Sequence, residues 1–401
     1  MRAVEQDISQ SMARIDLPYL CNLPRSRHTF AHRNNATRPA SDAVARIDFV
    51  GRGGNTLWQV AFGLFLVHTY GYRLSRESVP KLDDFSFGAK LRSLFFASEG
   101  WRAARQRPVI WSEWPRLGIP FCPKLRDALE HGRSLHVGGF FQSYHVVVQP
   151  LKERLRRLMW LPACGEGGRT CPASIDLVIH LRQCPAVDSN SEPGCVRRVP
   201  KVAQVLEYME AVVAAFARSA AADAVVWLVT QPECYSSAPA RKLEARARSL
   251  GLALRLRANA SVGADFAFLA GAAQLVLTPD KIATSTFGWW AAFLSRAHTV
   301  HMPLSTCTYD WWRGALGLCA SDPVYGRLGG AFNPCAFKNA TQPPRDSLLQ
   351  SQPLLPLDEP RYVYHDVQAG RYFGRYVANA SGRDSGWIRF PRHAQALENL
   401  R

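Results

Sequence analysis

Between residues 174 and 303, short apolar runs alternate with longer segments of helical period, and this alternation constrains the fold more than any other feature of the chain. The runs "SIDLVIHL" (174–181), "AVVWLVT" (224–230), "LALRLR" (252–257), "QLVLT" (274–278) and "HTVHMP" (298–303) read as strands. Residues 200–217 read as a helix, with Pro200 at its start and Val202, Val205, Leu206, Met209, Val213 and Phe216 at helical spacing. Helices are also expected over 241–250, ended by Gly251, over 264–273, and over the stretch "TSTFGWWAAFLS" (284–295). Five apolar strands separated by helices predict an α/β fold, a parallel sheet covered on both faces.

A similar unit opens the chain. "VARIDFV" (44–50) reads as a strand, "GRGGN" (51–55) as a Gly-rich turn and "TLWQVAFGLFLVHTYGY" as a helix. The G-x-G-x-x-G spacing is missing, so no dinucleotide site is expected. "SLHVGGFFQS" (134–143) gives another strand and "PLKERLRRLMWL" (150–161) another helix. With 401 residues the chain is long enough for two cores. The expected divisions are a tail or linker at 1–43, an N-terminal α/β domain at 44–170, a C-terminal α/β domain at 171–330, and an extension of short irregular pieces at 331–401. That last part contains a Pro-rich linker.

Composition narrows the classes. Hydrophobic residues make up 47% and charged residues 20%, as in a folded globular chain. The formal net charge is +17, and of the 49 basic residues eight are Lys and 41 Arg. They are scattered rather than blocked, which speaks against a nucleic-acid arm and suits either compositional bias or a cleft for an anionic small molecule. No apolar segment reaches the roughly 18–20 residues of a membrane span, and the N-terminus lacks the apolar core of a signal peptide. Ten Cys and four N-x-[ST] sequons (Asn35, Asn259, Asn339, Asn379) point the other way, to an oxidising lumen. The expected location is therefore an oxidising lumen, with an anchor upstream of Met1, or the cytoplasm if the chain is complete as given. Any membrane association would run through that anchor alone. No C-x-x-C pair and no D-x-D are present, so neither structural zinc nor a catalytic metal is expected.

In parallel sheets ligands bind outside the carboxyl ends of the strands. Three short stretches sit at such ends: "GRGGN", "HLRQC" and "TSTF". His180 and Arg182, two apart at a strand end, would point to one side. Arg offers a planar, permanently charged fork for a diphosphate. Ser285 is expected to cap the next helix with its hydroxyl, and the helix start, with Ser285 and Thr286, would seat an anion. Phe287, Trp289 and Trp290 read as core. Gly51, Gly53 and Gly54 allow close backbone approach to a ligand, and Asn55 offers hydrogen bonds to a sugar or phosphate. Asp265 stands at a helix start as a cap or dipole partner. Asp188 and Glu192, in the loop after "HLR", are the candidate general bases.

Taken in order, these stretches resemble the α-1,2-fucosyltransferases, glycosyltransferase family eleven. "GRGGNTLWQ" is similar to that family's Gly-Arg-Leu-Gly-Asn-Gln motif, "GGFFQS" (138–143) to its Gly-Tyr-Phe-Gln-Ser element and "HLRQCP" to part of His-x-Arg-Arg-Gly-Asp. "TSTFGWWAA" is close to Asn-Ser-Thr-Phe-Ser-Trp-Trp-x-Ala. The resemblance spans 44–305. It implies a GT-B-like fold, with two Rossmann-type domains whose parallel sheets face a cleft. It also implies a GDP-fucose donor, a glycan or glycoprotein acceptor, and inverting transfer with no cofactor beyond the GDP-sugar co-substrate. Under it Arg182 would hold the diphosphate, Ser285, Thr286, Phe287 and Asp265 would line the donor pocket, and Gly51, Gly53, Gly54 and Asn55 would lie at the domain cleft. The departures are Gln183 for the second Arg, Cys184-Pro185 for Gly-Asp, Gly53 for Leu and Thr56 for Gln. They leave open a protein O-fucosyltransferase-like enzyme and a non-catalytic nucleotide-sugar or carbohydrate binder.

Overall fold

The computed structural model describes residues 43–49, 51, 53–75, 80–96, 109–112, 133–138, 144–161, 171–182, 202–278, 285–303, 356, 358–367 and 371–375. The chain divides into two compact units, the first centred on Met1–Trp160 and the second on Leu161–Arg327 together with Pro356–Arg401. Each unit carries its own parallel sheet, so the α/β class expected from the alternation is observed.

In the first unit, β1 (Val44–Asp48) leads into α1 (Gly53–Tyr70), followed by β2 (Arg73–Leu74), α2 (Gly88–Phe96), β3 (Val109–Ser112), β4 (Leu135–Gly138) and α3 (Lys152–Leu158). The sheet order is β2-β1-β4-β3, with every pairing parallel. α1 is apolar around most of its circumference, and its residues from Thr56 to Leu66 are all buried, as such a helix must be. It begins at Gly53, three residues earlier than the sequence pattern indicates. Of Gly51, Gly53 and Gly54, Gly51 alone, at φ +84°, keeps the turn geometry that glycine favours. Gly53 serves packing instead, since a Cβ there would lie 2.9 Å from the Phe85 ring.

The second unit follows the predicted alternation closely: β5 (Leu177–His180), α4 (Val202–Ala217), β6 (Val225–Val229), α5 (Ala238–Ser249), β7 (Ala253–Arg257), α6 (Val262–Ala270), β8 (Gln274–Leu277), α7 (Thr286–Leu294) and β9 (Thr299–Pro303). Alternate side chains of each strand feed opposite layers. Leu177, Ile179, Val226 and Leu228 pack with Val205, Met209 and Leu243 of α4 and α5. On the other face Trp227 meets Phe268 of α6 at 5.3 Å, and His180 meets Phe287 of α7 at 5.7 Å. Helices therefore cover both faces.

β10 (Tyr362–Asp366) and β11 (Arg371–Arg375) extend this sheet, β10 parallel to β9 and β11 antiparallel to β10. This corrects the reading of 331–401 as irregular pieces. The segment "RYVYHDV" is rich in aromatic and β-branched residues, but its strand β10 pairs with β9, some sixty residues earlier, a partner no local pattern discloses.

Candidate functional site

The sheet order of the second unit is β11-β10-β9-β8-β5-β6-β7. From β5 the chain runs outward through β6 and β7, then returns to place β8 on the other side of β5. The order reverses between β5 and β8, and in such sheets the crevice outside the carboxyl ends at that reversal is where ligands bind. His180 is the last residue of β5, Thr278 follows β8, and α7 starts at this edge.

A short hydrogen-bond relay fixes the crevice wall. The Thr278 hydroxyl donates to the His180 carbonyl at 2.8 Å and accepts from the Arg182 amide at 3.2 Å. On the opposite side of the bend the Leu181 amide donates to the Val229 carbonyl, and Thr230 Oγ1 donates to the Leu181 carbonyl. The backbone leaving β5 is thus pinned to both neighbouring strands, and Arg182 leaves it in one direction. Its Nη1 stands 3.5 Å from the Ser285 hydroxyl.

Ser285 occupies the cap position of α7 but makes no side-chain cap hydrogen bond. The expected capping is therefore corrected: the hydroxyl is wholly buried and faces Arg182 instead. The Ser285 carbonyl still accepts the first intrahelical bond, from the Trp289 amide at 2.8 Å. A missing cap costs about 1 kcal/mol. Against that, Trp289 and Trp290 are both fully buried, and a buried Trp is worth about 3–5 kcal/mol relative to Ala. Packing therefore holds α7 in place, as expected for the Trp pair, and its first turn needs no side-chain cap. Its far end is gripped by Arg361. Nη1 donates to the Ser295 carbonyl at 2.7 Å, Nη2 donates to those of Ala292 and Phe293 at 3.0 and 3.2 Å, and Nε pairs with Glu359 at 2.7 Å. Sequence reasoning missed this clasp, because Arg361 lies in a stretch that reads as irregular.

His180 lies under the first turn of α7. Only 7% of it is exposed, and its Nδ1 has no hydrogen-bond partner among the described residues. A Cβ on Gly288 would stand 2.5 Å from that nitrogen, so glycine is what lets the ring and the helix close together. Burial, with the Arg182 charge beside it, pushes the imidazole down to about 3. The folded chain then takes up this proton only near pH 3, whereas the unfolded chain takes it near 6.5. Acid favours unfolding, and the His180 contribution to stability is full above about pH 6.5 and declines by about 1.4 kcal/mol per pH unit below it. Thermal unfolding of His180→Leu is expected to lose less stability between pH 6.5 and 4.5 than the parent does. Parallel pH profiles for the two proteins would exclude a buried neutral imidazole.

Phe287 packs between His180 and Phe266, the latter at 5.3 Å and edge-on, which brings the start of α6 beside that of α7. Asp265, next to Phe266, is not the cap of α6. Ser261 is, accepting from the Ala264 amide at 3.2 Å. Asp265 instead pairs with Arg257 Nε at 3.0 Å. Burial raises its carboxyl, while the Arg257 charge and hydrogen bond work against that rise.

The structure therefore brings His180, Arg182, Ser285, Thr286 and Phe287 together, with Asp265 on the flanking helix. Gly51, Gly53, Gly54 and Asn55 belong to the first unit, at the carboxyl end of β1 and the first turn of α1. Asp188, Glu192, Gln183, Cys184, Pro185, Thr284 and residues 139–143 lie outside the described residues, as do Asn35, Asn339 and Asn379. Cys171 is disulfide-bonded, and Cys234 is buried. Among the described residues, no three His, Cys, Asp or Glu side chains cluster as a metal site would require, and no helix is long and apolar enough to cross a membrane. No protein-family model matches the chain, and no curated protein matches it either.

Proposed function

We propose that this chain is a GT-B-like glycosyltransferase that moves L-fucose from GDP-fucose to a glycan hydroxyl, with inversion and without a metal. The observation that carries the reading is the meeting of Arg182 and Ser285 at the β5/β8 order reversal, directly before the first turn of α7. A diphosphate at that crevice would face a guanidinium, a buried hydroxyl and the amides of a helix start, all donors for an anion. Two parallel sheets in two units support the architecture, and the ordered resemblance of four motifs supports the sugar and its nucleotide.

In the proposed reaction the acceptor oxygen attacks the anomeric carbon from the face opposite GDP. The bond from that carbon to the β-phosphate oxygen breaks, and its electron pair leaves with the diphosphate. Negative charge grows there, and fixed donors aimed at it are the largest single catalytic contribution. Arg182 and the α7 amides play that part, while Phe287 closes the apolar side of the crevice. The acceptor's proton passes to a base, for which Asp188 and Glu192 are the candidates. A disulfide at Cys171 and an exposed sequon at Asn259 support a lumenal, Golgi location for such an enzyme.

A donor screen tests the reading. GDP release in the presence of galactoside acceptors is expected from GDP-fucose, above other GDP-sugars and all UDP-sugars. Release only from UDP-sugars, or from none, rejects it. Calorimetric binding of GDP without turnover would place the chain among non-catalytic nucleotide-sugar binders instead.

A further inference from the structure

The first unit has an order reversal of its own. β1 is flanked by β2 on one side and by β4 on the other, so the crevice rule points here to the carboxyl ends of β1 and β4. Polar side chains that sequence reasoning did not single out converge at that point. His136 Nε2 and Asp48 Oδ1 are 2.8 Å apart, and Arg46 Nε stands 3.8 Å from the same oxygen. In the parallel register Arg46 is opposite His136 and Asp48 opposite Gly138. The residues between them, Ile47 and Val137, are buried, so the polar group shares the less buried face.

Asp48 is the last residue of β1, and its side chain is 48% exposed. Oδ1 is engaged by His136 and Arg46, while Oδ2 takes no hydrogen bond from the described residues. A Cβ on Gly138 would lie 3.7 Å from Oδ2. Gly138 is not among the positive-φ glycines, so its backbone does not call for glycine. Among the described residues, what the missing side chain provides is open space over the second carboxylate oxygen. An exposed ion pair contributes at most about 1 kcal/mol, which does not account for keeping that oxygen uncovered. A carboxylate held in one orientation by His136, with one oxygen presented at a strand-end crevice, is an acceptor for ligand hydroxyl groups.

We propose that Asp48 and His136, with Gly138 as the open floor, form a saccharide-hydroxyl binding site in the first unit. This rests on the glycosyltransferase reading only in taking the hydroxyl-bearing ligand to be a saccharide. Asp48 Oδ2 accepts a hydrogen bond from a ring hydroxyl, and His136 fixes the carboxylate that does so.

The test uses the full chain on a printed array of galactose-, mannose- and N-acetylglucosamine-terminated oligosaccharides, with calorimetric GDP titration and melting curves on the same preparations. The parent is expected to capture at least one class. Asp48→Asn should weaken that capture about tenfold or more, as loss of a charge-assisted hydrogen bond does. Gly138→Ala, whose methyl fits at ordinary contact distance yet covers Oδ2, should weaken it in the same direction. GDP affinity and Tm should stay at parental values in both. Capture by neither parent nor variants, or equal capture by all three, overturns the site. Absence of GDP binding with Asp48-dependent capture intact would instead reject the transferase reading and leave this site standing.

Discussion

Arg182→Ala is expected to lower turnover of GDP-fucose by about a thousandfold, the size of effect seen when one fixed donor to a developing anion is removed. That corresponds to about 4 kcal/mol of lost transition-state stabilisation. The expectation follows from where the side chain stands. Its backbone amide is bonded to Thr278, its Nη1 faces a fully buried hydroxyl, and the first turn of α7 begins one residue later. Such a guanidinium is oriented before substrate arrives. Arg182→Lys should recover little, because a single ammonium cannot reproduce the planar fork and would have to reach both Ser285 and a phosphate as a point charge. Comparing kcat with KM separates the roles. A fall confined to kcat marks stabilisation of the departing diphosphate, and a rise in KM alone marks uniform binding. Melting curves for both variants separate lost chemistry from lost fold. Arg182→Ala activity within tenfold of the parent would remove Arg182 from the mechanism.

The second large effect concerns stability and lies at the other end of the same strand. Asp176 precedes β5, is 4% exposed, and accepts three hydrogen bonds: from the Ala173 amide at 2.9 Å, the Val225 amide at 3.0 Å and Trp227 Nε1 at 2.9 Å. It ties the start of β5 to β6 and locks the Trp227 ring against Phe268. Truncation to Ala leaves the Val225 and Trp227 donors without an acceptor. At about 2 kcal/mol for each buried orphan the cost is about 4 kcal/mol. For a unit of this size that lowers Tm by on the order of 10 °C. Asp176→Asn keeps the shape but turns an NH₂ toward a donor, so it should fall between the parent and Asp176→Ala. A Tm for Asp176→Ala within about 2 °C of the parent would show that the three bonds carry little net stability.

Neither residue's full role is visible along the chain. Arg182 could be picked out because a charged fork directly after an apolar strand is unusual. Its partner Ser285, however, lies 103 residues away, at a position whose local pattern indicates a cap. Asp176 sat unnoticed inside "SIDLVIHL", since a strand pattern does not show that one carboxylate gathers donors from two other segments. Asp48 and His136 were passed over for a related reason. They are 88 residues apart, and only the β1–β4 register sets them on one face. Arg361 reaches α7 across 66 residues from a stretch whose strand partner is equally remote.

What the sequence determined by itself is the local order: which segments are strands, which are helices, and that their alternation requires parallel sheets. Period and apolar content act over ten or twenty residues, and they placed every element from β5 to β9 within a few positions. The strand order is a different kind of fact. Which strand returns beside β5, and so where the order reverses and a crevice opens, depends on packing among elements a hundred residues apart. The tertiary structure alone decided that β8 takes that place, that Ser285 turns to Arg182 rather than to its own helix, and that Gly288 lets His180 close against α7. Burial and register, summed over the whole unit, outweigh the roughly 1 kcal/mol preference of a single cap.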